Sequence, residues 1–189
     1  MAVQTESIIR PRHELSVGHI EAIYSQAQEQ LVQEFYRAQG DSNVPTVIRK
    51  LLPSVLIESN NIWAETVTAS GSAYQDSQVA GQNIPDDKAI VMFGLIDTSA
   101  PQAVTQLRIS SGQGVRAIWD LSSIIGSSPV ISGGIECRTM YAMTPIIITQ
   151  NINIKIEYYV RAFSPQVIRG VEIAILGLVA EKVGINIQP

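Results

Sequence analysis

Between residues 88 and 162 short runs, some alternating apolar and polar side chains and some continuously apolar, follow one another across Gly-, Pro- and Ser-bearing breaks with no helical segment between them. The clearest run is NINIKIEYYVRA at 151–162. Ile152, Ile154, Ile156, Tyr158, Val160 and Ala162 share one parity; Asn153, Lys155, Glu157, Tyr159 and Arg161 share the other. A period of two in β-branched and aromatic residues predicts a strand with one buried and one wet face. Strands are likewise predicted over 88–97 (KAIVMFGLID), 103–110 (AVTQLRIS), 115–121 (VRAIWDL), 134–142 (GIECRTMYA), 145–149 (PIIIT) and 152–162. A parallel crossover needs about a dozen residues or more; TSAP, SGQG, TP and QN are far shorter, and the break around GSSP (122–133) is punctuated by Gly, Ser and Pro with no helical period. The expected fold is therefore mainly β, an antiparallel, jelly-roll-like β-sandwich over 86–189.

Ahead of it lie an N-terminal arm and helical region (1–53) and a loop-rich connection (54–85). Residues 1–15 show no period and read as an extended arm. Ile20, Ile23/Tyr24, Ala27, Leu31 and Phe35 recur every three or four residues, which predicts a helix over 17–39 with Ser16 as N-cap and Gly40 as C-cap. Pro45 and Pro53 bracket an expected short helix at 45–52. In 54–82 the signal weakens: SVLIES and IWAETVTA could be strands, and the small, polar SGSAYQDSQVAGQN reads as a mobile loop. The apolar segment 165–183 fits a helical face through Val167, Val171, Ala174/Ile175 and Leu178, with a strand as the open alternative. Gly170 and Gly177 would each cost that helix about 1 kcal/mol relative to alanine.

The residues that carry chemistry are sparse. The two histidines, His13 and His19, lack the i,i+4 spacing of helical zinc ligands, and no GxSxG or HExxH occurs. Cys137 is the single cysteine and reads as a small core thiol, so no disulfide framework or cysteine zinc site is expected. Asp86-Asp87 reads as a turn, Asp97 as the cap of the next turn, Asp120 as a buried or strand-end polar contact, and SGQG as a hairpin rather than a phosphate loop. Trp119 is assigned to the core or to a subunit contact. No enzyme activity and no cofactor are expected. A net charge of −4 and scattered basic residues give no footprint for nucleic acid. The longest apolar run, IAILGLVA, is too short to span a bilayer, and MAVQTESIIRPRHEL holds no apolar h-region, so no secretory signal is expected. Charged residues make up 16% of the chain, against roughly 25% in an average soluble domain. So low a share means either that much of the apolar surface is buried inside the fold or that part of it is buried against other subunits.

The arm MAVQTESIIRPRHEL, the glutamine-rich helix ending at Gly40 and the strands from Lys88 to Ala162 together resemble the structural proteins of tailed-bacteriophage particles. The layout is similar to the capsid cement or decoration proteins of the outer shell. That resemblance implies a non-enzymatic protein that self-associates, with a trimer favoured, and binds the major capsid protein. It would be made in the host cytoplasm and end in the virion. Another virion component (neck, baseplate or fibre-associated) and a carbohydrate-binding β-sandwich are the alternatives. Ile8, Ile9, Arg10 and Arg12 in the arm, Tyr24, Phe35 and Tyr36 on the helix, and Tyr159 on the wet face of the last regular strand are the candidate interface residues.

Overall fold

The computed structural model describes residues 8–57, 62–68, 73–99, 102–112, 114–122, 130–132, 135–160 and 168–183. The elements in chain order are β1 (Ile9–Pro11), α1 (Val17–Gln39), β2 (Thr46–Lys50), α2 (Pro53–Leu56), β3 (Ala64–Thr68), β4 (Tyr74–Asn83) and β5 (Lys88–Asp97). They continue with β6 (Val104–Ser111), β7 (Gly114–Asp120), β8 (Val130–Ser132), β9 (Ile135–Ile148), β10 (Asn153–Val160) and β11 (Ile168–Lys182). A seven-stranded sheet runs β1-β9-β5-β11-β2, with β8 also on β9 and β3 also on β11; a four-stranded sheet runs β4-β10-β6-β7. Every pairing is antiparallel. The protein is a β-sandwich.

Two apolar layers hold it together. Between the sheets pack Ile90, Met92 and Leu95 of β5, Leu107 and Ile109 of β6, Trp119 of β7, Ile154, Ile156 and Tyr158 of β10, and Ile173 and Ile175 of β11. On the other face of the large sheet, Ile23, Ala27, Leu31 and Phe35 of α1 press onto Ala89, Val91, Phe93, Leu178 and Ala180. The large sheet is thus covered on both faces, and its central strands β5 and β11 are apolar at consecutive positions as a result. Helix α1 ends as its sequence predicts. Ser16 Oγ accepts the His19 backbone N–H at 3.2 Å, and Gly40 sits at φ 69° with its N–H on the Tyr36 carbonyl.

Four local expectations are corrected. Residues 46–50 form strand β2, because the β-branched run Thr46-Val47-Ile48 pairs with the last residues of β11; Pro53 instead opens the single turn α2. The segment 165–183 is strand β11 from Ile168 onward. It pairs with β3 over Ile168–Glu172, with β5 over Ile173–Glu181 and with β2 over Leu178–Lys182. Its proposed helix start at Ser164-Pro165 lies outside the described residues. The presumed loop 70–83 is largely strand β4, polar because it lies at a sheet edge with one wet face and keeps only Ser77 and Val79 buried over Tyr74–Ala80. The two runs at 134–142 and 145–149 join as β9, whose register against β5 shifts between the Met92 and Gly94 pairings; Pro145 falls in that shift, where no ladder donor is required. Cys137 pairs with Val130 in the ladder, and its side chain lies outside the described residues.

The two sheets are also stitched along one edge by glutamines. Gln75 Oε1 accepts the Thr68 N–H at 3.1 Å and its Nε2 donates to the Thr68 carbonyl. Gln78 Nε2 donates to the Ala64 carbonyl, while the Gln78 N–H donates to Glu65 Oε2 at 3.0 Å. These carboxamides do for β3 and β4 what backbone groups do within a sheet, so this edge is not left as an open template.

Candidate interaction surfaces

Alternation in β10 turns Lys155, Glu157 and Tyr159 to the outer face of the four-stranded sheet, where register sets them beside Asp76 and Tyr74 of β4 and Gln106 and Arg108 of β6. Arg108 makes a two-pronged ion pair with Glu157, Nε to Oε2 at 2.6 Å and Nη2 to Oε1 at 2.7 Å. Lys155 bridges Glu157 at 3.1 Å and Asp76 at 2.8 Å. The Arg108 guanidinium lies 3.9 Å from the centre of the Tyr74 ring, and Tyr74 meets Tyr159 edge-on at 5.5 Å. Tyr74 Oη donates to Gln106 Oε1 at 2.6 Å. One ring face is therefore capped by a cation and the rings are not coplanar, so this patch is a braced polar surface rather than a stacking platform.

The Arg108 hydrogen bonds, opposed by burial and aided by Lys155, hold the Glu157 carboxyl below its usual range. Arg49 and Lys88 do the same for Glu181 at the end of β11, whereas burial pushes Glu65 up. A carboxyl lowered in the fold contributes stability above its unfolded value and loses it as pH falls through the folded value. A raised one contributes below the unfolded value and loses it as pH rises. Glu157→Gln should accordingly be less stable than the parent at pH 7, with the gap shrinking as pH falls below about 4.5, the ordinary glutamate value. Urea melts of both proteins from pH 3 to 7 check this; a gap that does not change with pH would contradict it.

The predicted interface residues fall in three places. Ile8 is 61% exposed beside Met143, which is 38% exposed and whose N–H donates to the Ile8 carbonyl at 2.9 Å. Ile9 pairs with Ala142 and packs half-buried on the inter-sheet core; Arg10 pairs with Tyr141 and is exposed. Arg12 is half-buried and donates to the Leu15 carbonyl at 3.1 Å. So residues 8–15 of the arm are seated on the sheet rather than free. Tyr24 is 45% exposed and stands edge-on to Phe93 at 5.8 Å. Phe93 lies between Met92 and Gly94, opposite the β9 irregularity that contains Met143. Tyr36 lies half-buried against the helix–sheet layer. Tyr159 belongs to the outer-sheet patch. Phe35 is corrected: it is fully buried under α1 and offers nothing to a partner, because it continues the stripe of Ile23, Ala27 and Leu31.

Two buried polar sets complete the inventory. Asp97 and Arg138 form an ion pair with both side chains almost wholly enclosed; Asp97 also accepts the Ser99 N–H at 2.9 Å, the turn cap expected of it. Glu65 bonds to Tyr158, which also bonds to Ser77, at a small void floored by Ile156, Ile173 and Ile175. Asp120 proves exposed, its Oδ1 accepting the Ser122 N–H at 2.8 Å. Trp119 is fully buried in the core. His13 and His19 are both exposed, at opposite sides of the Ser16 cap. Among the described residues no group of three histidine, cysteine, aspartate or glutamate side chains is placed to hold a metal, and no helix is long and apolar enough to cross a membrane. The Tyr74, Asp76 and Arg108 members of the outer patch carried no sequence signal of their own; only strand register brings them to Glu157. Comparison with protein-family models and with curated protein sequences finds no match.

Proposed function

We propose that this chain is a non-enzymatic structural protein that self-associates, with a trimer favoured, and binds the shell of a viral capsid as a cement or decoration protein. The observation that carries the self-association is the apolar seam at the β1 edge: Ile8 and Met143 side by side, with Tyr24 on Phe93 at the same stretch of β9. Large apolar side chains grouped beside a sheet edge mark a surface that another protein covers. Arg10 and Arg12 flank the seam and suit the polar rim of such a contact. The capsid partner rests on the likeness of layout: an arm, a helix and a sandwich with few charged groups and a rigid body.

Ile8→Asp combined with Met143→Asp tests the seam, since both residues are exposed and neither belongs to a core layer. Light scattering should show the parent as an oligomer and the double variant at or near the monomer mass of 20.6 kDa, with little change in melting temperature. A variant that keeps the parent's mass would place the contact elsewhere.

A further inference from the structure

At one end of the four-stranded sheet, Ser111 and Gly112 at the end of β6, residues 114–116 of β7 and the β9–β10 turn border an open notch of about 520 Å³. Register places Asn83 directly across from Asn153 in the β4–β10 ladder. The Asn153 carbonyl accepts the Gly112 N–H at 2.9 Å, and its side-chain Nδ2 donates to the Gly81 carbonyl, so hairpin and ladder are pinned together. Asn151 holds the left-handed turn at φ 60° on the same rim, tied by its N–H to the Ile84 carbonyl at 2.8 Å. Arg116 reaches over the notch with Nε on Ser111 Oγ. None of its nitrogens has a carboxylate within ion-pair distance among the described residues, and no acidic residue lines the notch. In a chain of net charge −4 this is a local positive site furnished with carboxamides.

We propose that this notch binds a saccharide that carries a carboxylate. A carboxamide presents a donor and an acceptor side by side, the pattern that vicinal sugar hydroxyls match. A guanidinium whose terminal nitrogens are unclaimed takes a planar carboxylate by two parallel bonds. Ile152 and Val115 supply an apolar floor for the C–H side of a ring. A bare anion would leave the Asn83 and Asn151 carboxamides unused, and a neutral sugar would leave the cation unused. The notch is open, so single-site affinity belongs in the millimolar class, and several copies in one assembly would multiply it. The site rests on the fold alone and stands whether or not the chain self-associates.

The test is ligand-observed saturation-transfer NMR on the full chain with N-acetylneuraminic acid and glucuronic acid, using glucose and competing inorganic phosphate as controls. At least one acid sugar should bind, glucose should bind at least tenfold more weakly, and phosphate should compete only weakly. Arg116→Ala should weaken acid-sugar binding about tenfold or more, with partial recovery in Arg116→Lys, and Asn83→Ala should weaken it severalfold. Arg116 and Asn83 are exposed, so unchanged melting temperatures are expected and separate lost binding from lost fold. Absence of transfer to both acid sugars, equal binding of glucose, or unchanged binding in Arg116→Ala would overturn the assignment. Full displacement by phosphate with Asn83→Ala unaffected would reduce the notch to a simple anion site and overturn its saccharide part.

Discussion

Gly94→Ala is expected to destabilise the protein by about 3 kcal/mol or more, the upper range for forced overpacking. A Cβ on Gly94 would lie 2.2 Å from the Met140 carbonyl oxygen and 3.2 Å from the Tyr141 Cα. Both atoms belong to the neighbouring backbone, so relief requires moving strand β9 rather than a side-chain tip. Gly94 occupies the point where the β5–β9 register shifts, and it faces Leu176 at the matching shift against β11. Gly177 across that shift is equally tight, 2.3 Å from the Val91 carbonyl oxygen. At the ~2–4 °C per kcal/mol typical of this chain length, the melting temperature should fall by about 6–12 °C. Gly18→Ala is the internal control. Gly18 lies in the first turn of α1, where a Cβ would meet only Ser16 Oγ at an ordinary 3.9 Å, and the same change there should stabilise by about 0.5 kcal/mol. If Gly94→Ala melted within about 2 °C of the parent, the close strand approach would be wrong.

The second large effect is expected at Arg138. Its Nε donates to Asp97 Oδ2 at 3.1 Å and its Nη2 reaches the same oxygen; Nη1 and Nη2 also donate to the Leu121 and Val104 carbonyls, each at 3.3 Å. One guanidinium thus joins β9 to β5 within the large sheet and to the ends of β6 and β7 in the small one. Arg138→Met removes the cation and leaves the fully buried Asp97 carboxylate with the Ser99 N–H as its remaining described partner. Breaking a buried pair from one side costs about 3–5 kcal/mol. Arg138→Met with Asp97→Leu removes the stranded charge as well and should be less destabilised than Arg138→Met alone, though short of the parent because the Leu121 and Val104 carbonyls lose the guanidinium. Urea unfolding of both variants, of Asp97→Leu alone and of the parent closes the cycle. A double variant no more stable than Arg138→Met would show that the carbonyl bonds, not the charge pair, dominate.

The legible parts of the sequence were those with a single buried face. Helix α1 and strand β10 each meet one apolar layer, so their periods survive, and Ser16, Gly40, Ile156 and Tyr158 fall where the pattern puts them. Strand β11 is apolar on both faces because α1 covers one and the small sheet the other. With alternation erased, a few apolar positions match a helix by chance, and Gly177 reads as a helix penalty when it marks a backbone contact. Strand β4 fails in the opposite way. It pairs with β10 on one side and reaches β3 only through its own glutamine carboxamides, which leaves a composition close to that of a loop. For the surfaces, parity was enough to put Tyr159 outward but could not supply Tyr74 or Arg108, which arrive through register. The Asn83–Asn153–Arg116 notch joins three separate turns and has no local signature at all.

The proposed assembly role depends on one quantity, the mass of the intact chain in solution. Light scattering coupled to size-exclusion chromatography, over about a hundredfold range of concentration, measures it directly. A closed oligomer of fixed mass is expected, a whole multiple of 20.6 kDa and foremost a trimer, that persists on dilution. A chain that remains at 20.6 kDa throughout would contradict self-association and leave the Ile8–Met143–Tyr24 seam without its proposed partner.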